Sequence, residues 1–88
     1  GPSYAPDAGI VIEEVRQALK EAIAGLPERH RQCVFMYYGK GLTLAEIARV
    51  YDITVSRVSQ ILTEARLRLK KKLEPLVDMD DLRFEMNE

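Results

Sequence analysis

The sequence predicts an all-α fold, a small four-helix domain whose C-terminal half is a helix-turn-helix. Three observations carry this prediction. Apolar residues recur at helical spacing in separate stretches between Ile10 and Leu73. Thr43 and Glu46 stand in the order of a capping box, S/T-x-x-E/Q, immediately before one of those stretches. A second start, Thr54, follows a few residues later and opens an apolar stripe that meets no helix breaker until Pro75.

The chain is short, with 88 residues and a formal net charge of -1, so a single domain over residues 10–73 is expected. Gly1, Pro2 and Ser3 read as the scar of a cleaved expression tag, and Ser3 to Gly9, which holds Pro6, reads as a linker from an upstream region. Residues 1–9 are therefore set apart from the fold, and the chain is expected to be part of something longer. Residues 74–88 form an acidic C-terminal tail.

The first helix follows from Ile12, Val15, Leu19, Ala22 and Ile23 on one face, with Gly25 as a C-terminal cap. Pro27 suits the first position of a second helix, where its missing N–H would be unpaired in any case, and Glu28 complements the positive helix end. The run from Cys33 to Tyr38 could be a buried strand by periodicity alone. The proline start and Gly39 after it favour a helix to about Tyr38, buried on several sides at the centre of the core.

In the third helix Thr43 and Glu46 cap the start, and Leu42 and Ile47 occupy the hydrophobic-staple positions. Leu44, Ile47, Ala48 and Tyr51 mark its buried face, and the helix is expected to stop near Asp52. The fourth helix, capped by Thr54, carries Val58, Ile61, Leu62, Ala65, Leu69 and Leu73 as its stripe and runs for about five turns, with Leu67 off the stripe and facing a partner.

Residues 43–62 then supply each part of a helix-turn-helix: a small Ala48 where the helices approach, Ile53 plugging the turn, and Val58 and Ile61 holding the second helix across the first. Asp52 occupies a place where glycine is usual, because the backbone there often turns left-handed, a conformation Asp tolerates better than most residues. With Val58, Ile61 and Ala65 facing inward, the positions left to enter a DNA major groove are Thr54, Val55, Ser56, Ser59, Gln60 and Thr63. Gln60 can bond bidentately to adenine, the hydroxyls can donate or accept, and Val55 can press on a thymine methyl, so the set leans towards A·T-containing sites. Arg57 flanks this row and can reach phosphate or guanine, and Arg29, Arg31, Lys40 and Arg49, like Arg57, are the candidates for phosphate contacts, which position a domain without reading sequence.

Net charge alone argues against a nucleic-acid partner, but its distribution does not. Arg57, Arg66, Arg68, Lys70, Lys71 and Lys72 face Glu64 alone within residues 54–73, whereas Glu74, Asp78, Asp80, Asp81, Glu85 and Glu88 outnumber Arg83 in the tail. The basic run also has a plain reading, since cations complement the negative end of a helix. His30 and Cys33 lie one turn apart, but no second Cys or His completes a metal or nucleophile site, and no glycine-rich phosphate loop is present. A surface histidine, a buried thiol, core packing for Phe35, Tyr37, Tyr38 and Tyr51, and no enzyme, metal or cofactor are expected. With one cysteine there is no disulfide framework, and with no run of about 18 apolar residues there is no membrane span, so a reducing cytoplasmic compartment is expected.

Taken in order, Leu26-Pro27-Glu28-Arg29, Tyr37-Tyr38, Leu44-Ala45-Glu46-Ile47-Ala48, Ser56-Arg57-Val58-Ser59-Gln60-Ile61 and the basic Leu-Lys end resemble the fourth conserved region of bacterial sigma factors over about residues 10–73. The flagellar and sporulation-type alternative factors are the nearest pattern. The resemblance implies a domain that reads the minus-35 element of double-stranded promoter DNA while docked on the RNA polymerase core through the beta flap, and that anti-sigma factors can occlude. Gln60 matches a promoter-reading glutamine of housekeeping factors, whereas Val55 and Ser56 replace charged base-readers, which implies a different promoter class. Two alternatives stay open: a protein-interaction module held by an anti-sigma factor or other regulator, suggested by Leu67 and the tail, and a response-regulator output domain.

Overall fold

The computed structural model describes residues 6–76, and side chains from Glu13 onward. The start read as a tag scar, the Ile12 side chain and the acidic residues from Val77 on lie outside the described residues. Among the described residues there are four α-helices: α1 over Pro6–Ala24, α2 over Glu28–Val34, α3 over Leu44–Tyr51 and α4 over Val55–Leu73. A π-helical turn over Phe35–Gly39 continues α2.

α1 begins earlier than the linker reading allowed, so Pro6 to Gly9 are helical. Pro6 has the fixed φ that suits a first helical position, and Gly9, which costs about 1 kcal/mol against alanine inside a helix, is accommodated within it. The other end also differs from expectation. Gly25 donates to the Glu21 and Ala22 carbonyls and Leu26 to the Ile23 carbonyl, a tightened last turn in which Gly25 keeps a negative φ rather than a left-handed cap.

The core is built around α4, which packs against α1, α2 and α3. Its stripe is buried throughout: Val58, Ile61, Leu62 and Ala65 are fully enclosed, with Leu69 and Leu73 nearly so. Ala22 and Leu26 meet it from the α1 side, Cys33 and Val34 from α2, and Ile47 and Ala48 from α3. Because every element buries its apolar side on one helix, the orientation of α4 is set by three contacts at once.

The segment after Val34 departs from the expectation of a helix buried on several sides. The amide of Lys40 bonds to the Phe35 carbonyl at 3.0 Å, five residues back, so one extra residue widens the last turn. That widening rotates the apolar run off the core: Phe35 is 58% and Tyr38 46% exposed, while Met36 and Tyr37 are partly buried against it. The Phe35 ring lies over Gly39, where a Cβ would meet its Cδ1 at 3.1 Å, so the absence of a side chain lets the ring settle there.

Candidate nucleic-acid interface

The start of α3 follows its sequence signals closely. The Thr43 amide donates to Glu46 Oε1 at 2.8 Å and the Glu46 amide to Thr43 Oγ1 at 3.1 Å, a reciprocal capping box. The Thr43 amide and hydroxyl hold the Glu46 carboxyl below its usual range. Ile47 is buried and Leu42 packs on the core, as the staple requires.

Between α3 and α4 the chain turns through Asp52, whose φ of 55° and ψ of 49° are left-handed. The Asp52 amide bonds to the Arg49 carbonyl and the Ile53 amide reaches back to the Ala48 carbonyl at 3.0 Å. This is the Schellman arrangement, which ends a helix and satisfies its last carbonyls, and Ile53 supplies the accompanying apolar contact. Thr54 then caps α4 by accepting from the Arg57 amide at 3.0 Å. Ala48, at the close approach, is buried.

With its stripe fixed against α1, α2 and α3, α4 turns a row of side chains outward at its N-terminal half. Thr54, Val55, Ser56, Gln60 and Thr63 are exposed and Ser59 is partly so, which places the six candidates on the solvent side of α4. Arg57 lies beside them and donates to Gln60 Oε1 at 3.3 Å. Arg66 donates to Thr63 Oγ1 at 3.3 Å.

The phosphate candidates divide. The Arg29 guanidinium lies 4.6 Å from the centroid of the Tyr51 ring, whose hydroxyl bonds to Gln32, so α2 and α3 hold this cation jointly. Burial pushes the Cys33 thiol up, and the charges of Arg29 and Arg57 oppose that shift. Arg49 is exposed on the last turn of α3. Arg31, by contrast, lines an apolar groove of about 540 Å³ with Ile23, Gln32, Val34, Phe35, Tyr38 and Gly39. Lys40 Nζ stands 5.6 Å over the Phe35 ring that borders the same groove. Two of the five cations thus gather around the groove, and three accompany α3 and α4.

One contact was not foreseen from sequence. His30 is not a surface histidine: its side chain is 13% exposed, and Nε2 lies 2.7 Å from Glu64 Oε1 on α4. That bond, with help from the charges of Arg57, His30 and Arg68, holds the Glu64 carboxyl below its usual range. The partners are 34 residues apart in the chain, so no local pattern could announce the pair. Leu67 is exposed, as its off-stripe position predicts. Among the described residues no cluster of His, Cys, Asp or Glu side chains could hold a metal ion, and no helix is long and apolar enough to cross a membrane.

The left-handed turn, the two caps and the outward polar row define a helix-turn-helix of the kind that places its second helix in a major groove. The match to the family Sigma-70, region 4, over residues 22–71 covers all of α2, the π turn and α3 and nearly all of α4, and the chain belongs to that family. Among curated proteins it is similar to RNA polymerase sigma factor FliA of Pseudomonas aeruginosa, with 41% identity over 68 residues, 77% of this chain and 28% of that protein. The FliA of Escherichia coli K12 is 44% identical over 67 residues, 76% of this chain and 28% of that protein. The RNA polymerase sigma-D factor of Bacillus subtilis is 36% identical over 72 residues, 82% of this chain and 28% of that protein. The chain thus spans about 28% of the length of each of these relatives.

Proposed function

We propose that this chain is the promoter-reading module of an alternative RNA polymerase sigma factor of the flagellar type, acting in the cytoplasm on the minus-35 element of double-stranded DNA. The observation that carries the reading is the outward row Thr54, Val55, Ser56, Gln60 and Thr63, with Ser59 partly exposed among them, on a helix whose opposite face is buried. Such a helix can enter a groove without unfolding anything, and its capped N-terminus presents a positive dipole end to the phosphates. Arg29, Arg49 and Arg57 serve as backbone contacts that set the register.

The role of each base-edge residue follows from its chemistry. Gln60 supplies an amide, the hydroxyls of Thr54, Ser56, Ser59 and Thr63 donate or accept, and Val55 offers an apolar contact to a thymine methyl. A single module of this kind buries about 600–1,000 Å² of protein surface on DNA, so its own binding is weak and falls with salt. Tight promoter binding therefore needs a second attachment, and the polymerase core, through its beta flap, is the partner that this reading assigns. The apolar groove bordered by Phe35 and Tyr38 supports that second role and makes an anti-sigma factor a natural competitor, because exposed aromatics are the usual anchors of a protein interface. Arg31 and Lys40 then belong to this attachment rather than to the phosphates.

The test is promoter-selective transcription by the whole sigma factor with core polymerase. Gln60→Ala and Ser56→Ala are expected to lower transcription from the cognate promoter by about tenfold or more while core binding stays intact. Unchanged promoter selectivity in both variants would reject the reading.

A further inference from the structure

The outward row of α4 is not neutral in its hydrogen bonding. Gln60 Oε1 accepts from the Arg57 guanidinium at 3.3 Å, and the assignment of the amide oxygen to that side is forced, since arginine has donors only and the amide nitrogen could not face it. Thr63 Oγ1 accepts from the Arg66 guanidinium at 3.3 Å. Thr54 Oγ1 accepts from the Arg57 amide at 3.0 Å. Three side chains that on composition alone could accept or donate thus have an acceptor oxygen engaged by a donor of this chain, two of them by a cation.

From this we infer that Arg57 sets the base preference of Gln60, turning an amide suited to adenine into one half of a two-donor fork for guanine. The inference rests on the reading of Gln60 as a base contact and goes beyond it. Adenine needs the glutamine oxygen to accept from N6 and the nitrogen to donate to N7. The carbonyl keeps a second lone pair, but an adenine amino group brought to it places another positive hydrogen beside the guanidinium. Guanine offers O6 and N7, two acceptors and no donor at that end of its major-groove edge, and both meet donors from Gln60 Nε2 and Arg57. The guanidinium also restrains the amide before DNA arrives, which reduces the side-chain entropy lost on binding. Arg57 in this role both positions the Gln60 amide and itself donates to the base, in place of a phosphate contact, and the A·T leaning drawn from the residue types shifts to guanine at this position.

The two roles of Arg57 separate experimentally. The chain and its Gln60→Ala and Arg57→Ala variants are each selected against a pool of randomised duplexes at low salt, and base frequencies are read position by position, with circular dichroism confirming that each variant is folded. The wild type is expected to prefer guanine at one position, Gln60→Ala to flatten that position, and Arg57→Ala to shift it from guanine towards adenine, with the guanine-to-adenine ratio falling about tenfold. If Arg57→Ala weakens all sequences alike and leaves that ratio unchanged, or if the wild type prefers adenine there, the inference is overturned while the base-reading role of Gln60 stands. If Gln60→Ala flattens no position, the base-reading role itself fails, and the inference with it.

Discussion

In α4 the whole apolar stripe from Val58 to Leu73 is buried, whereas in the segment of α2 and the π turn only Cys33 and Val34 are, and Phe35 and Tyr38 of the same apolar run face outward. The two segments differ in pattern more than in apolar content. A stripe repeating every three or four residues has one face to bury and can be satisfied by one orientation. A continuous run has no preferred face, so the orientation is settled by backbone geometry, here by the extra residue of the π turn and by Gly39 beneath the Phe35 ring. The periodic segment holds α4 in place with its polar row outward, and the continuous one leaves an apolar groove at the surface.

Substitutions sharpen this contrast in stability. The largest effect is expected for Ile61→Ala, which empties part of a fully enclosed site and costs about 2–5 kcal/mol in urea denaturation. Thr43→Ala removes half of the capping box and costs about 1 kcal/mol in the same measurement. Asp52→Gly relieves a left-handed residue and is expected to raise stability, by up to about 1 kcal/mol. Tyr38→Ala, in the exposed segment, is expected to change stability by less than about 1 kcal/mol and to show its effect in core-polymerase binding instead. A Tyr38→Ala loss as large as that of Ile61→Ala would erase the distinction between the two segments.

The smallest expected effect is a pH dependence at the α2–α4 contact. The His30 bond holds the Glu64 carboxyl below its ordinary range, so its contribution is present above the unfolded value and is lost as pH falls through the folded one. His30→Ala should therefore flatten the decline in melting temperature at acid pH, below about pH 4. An unchanged acid limb would show that the exposed side of this pair is fully screened by solvent.

These contrasts also mark how far the sequence could be read. The start of α3, the stop at Asp52, the cap at Thr54 and the six positions of the α4 stripe are local: each depends on residues within about one turn, and each is where the sequence places it. The beginning of α1 was missed because Pro6 and Gly9 signal a linker as readily as a helix start. The outward turn of Phe35 and Tyr38, the pairing of His30 with Glu64, and the division of the cations between two surfaces all depend on how helices distant in sequence lie against one another. The outward placement of the proposed base-edge row was legible because that row is the complement of a clear stripe. The engagement of the Gln60, Thr63 and Thr54 oxygens was not, since each depends on rotamers and not on spacing.

The most direct test of the account is a chemical-shift map of the chain titrated with duplex DNA bearing the cognate promoter element at low salt. The account predicts perturbations concentrated on Thr54 to Thr63, with Arg29 and Arg49 at the margin, and little change at Phe35 or Tyr38. Perturbations centred on the groove, with the outward row of α4 unmoved, would contradict it.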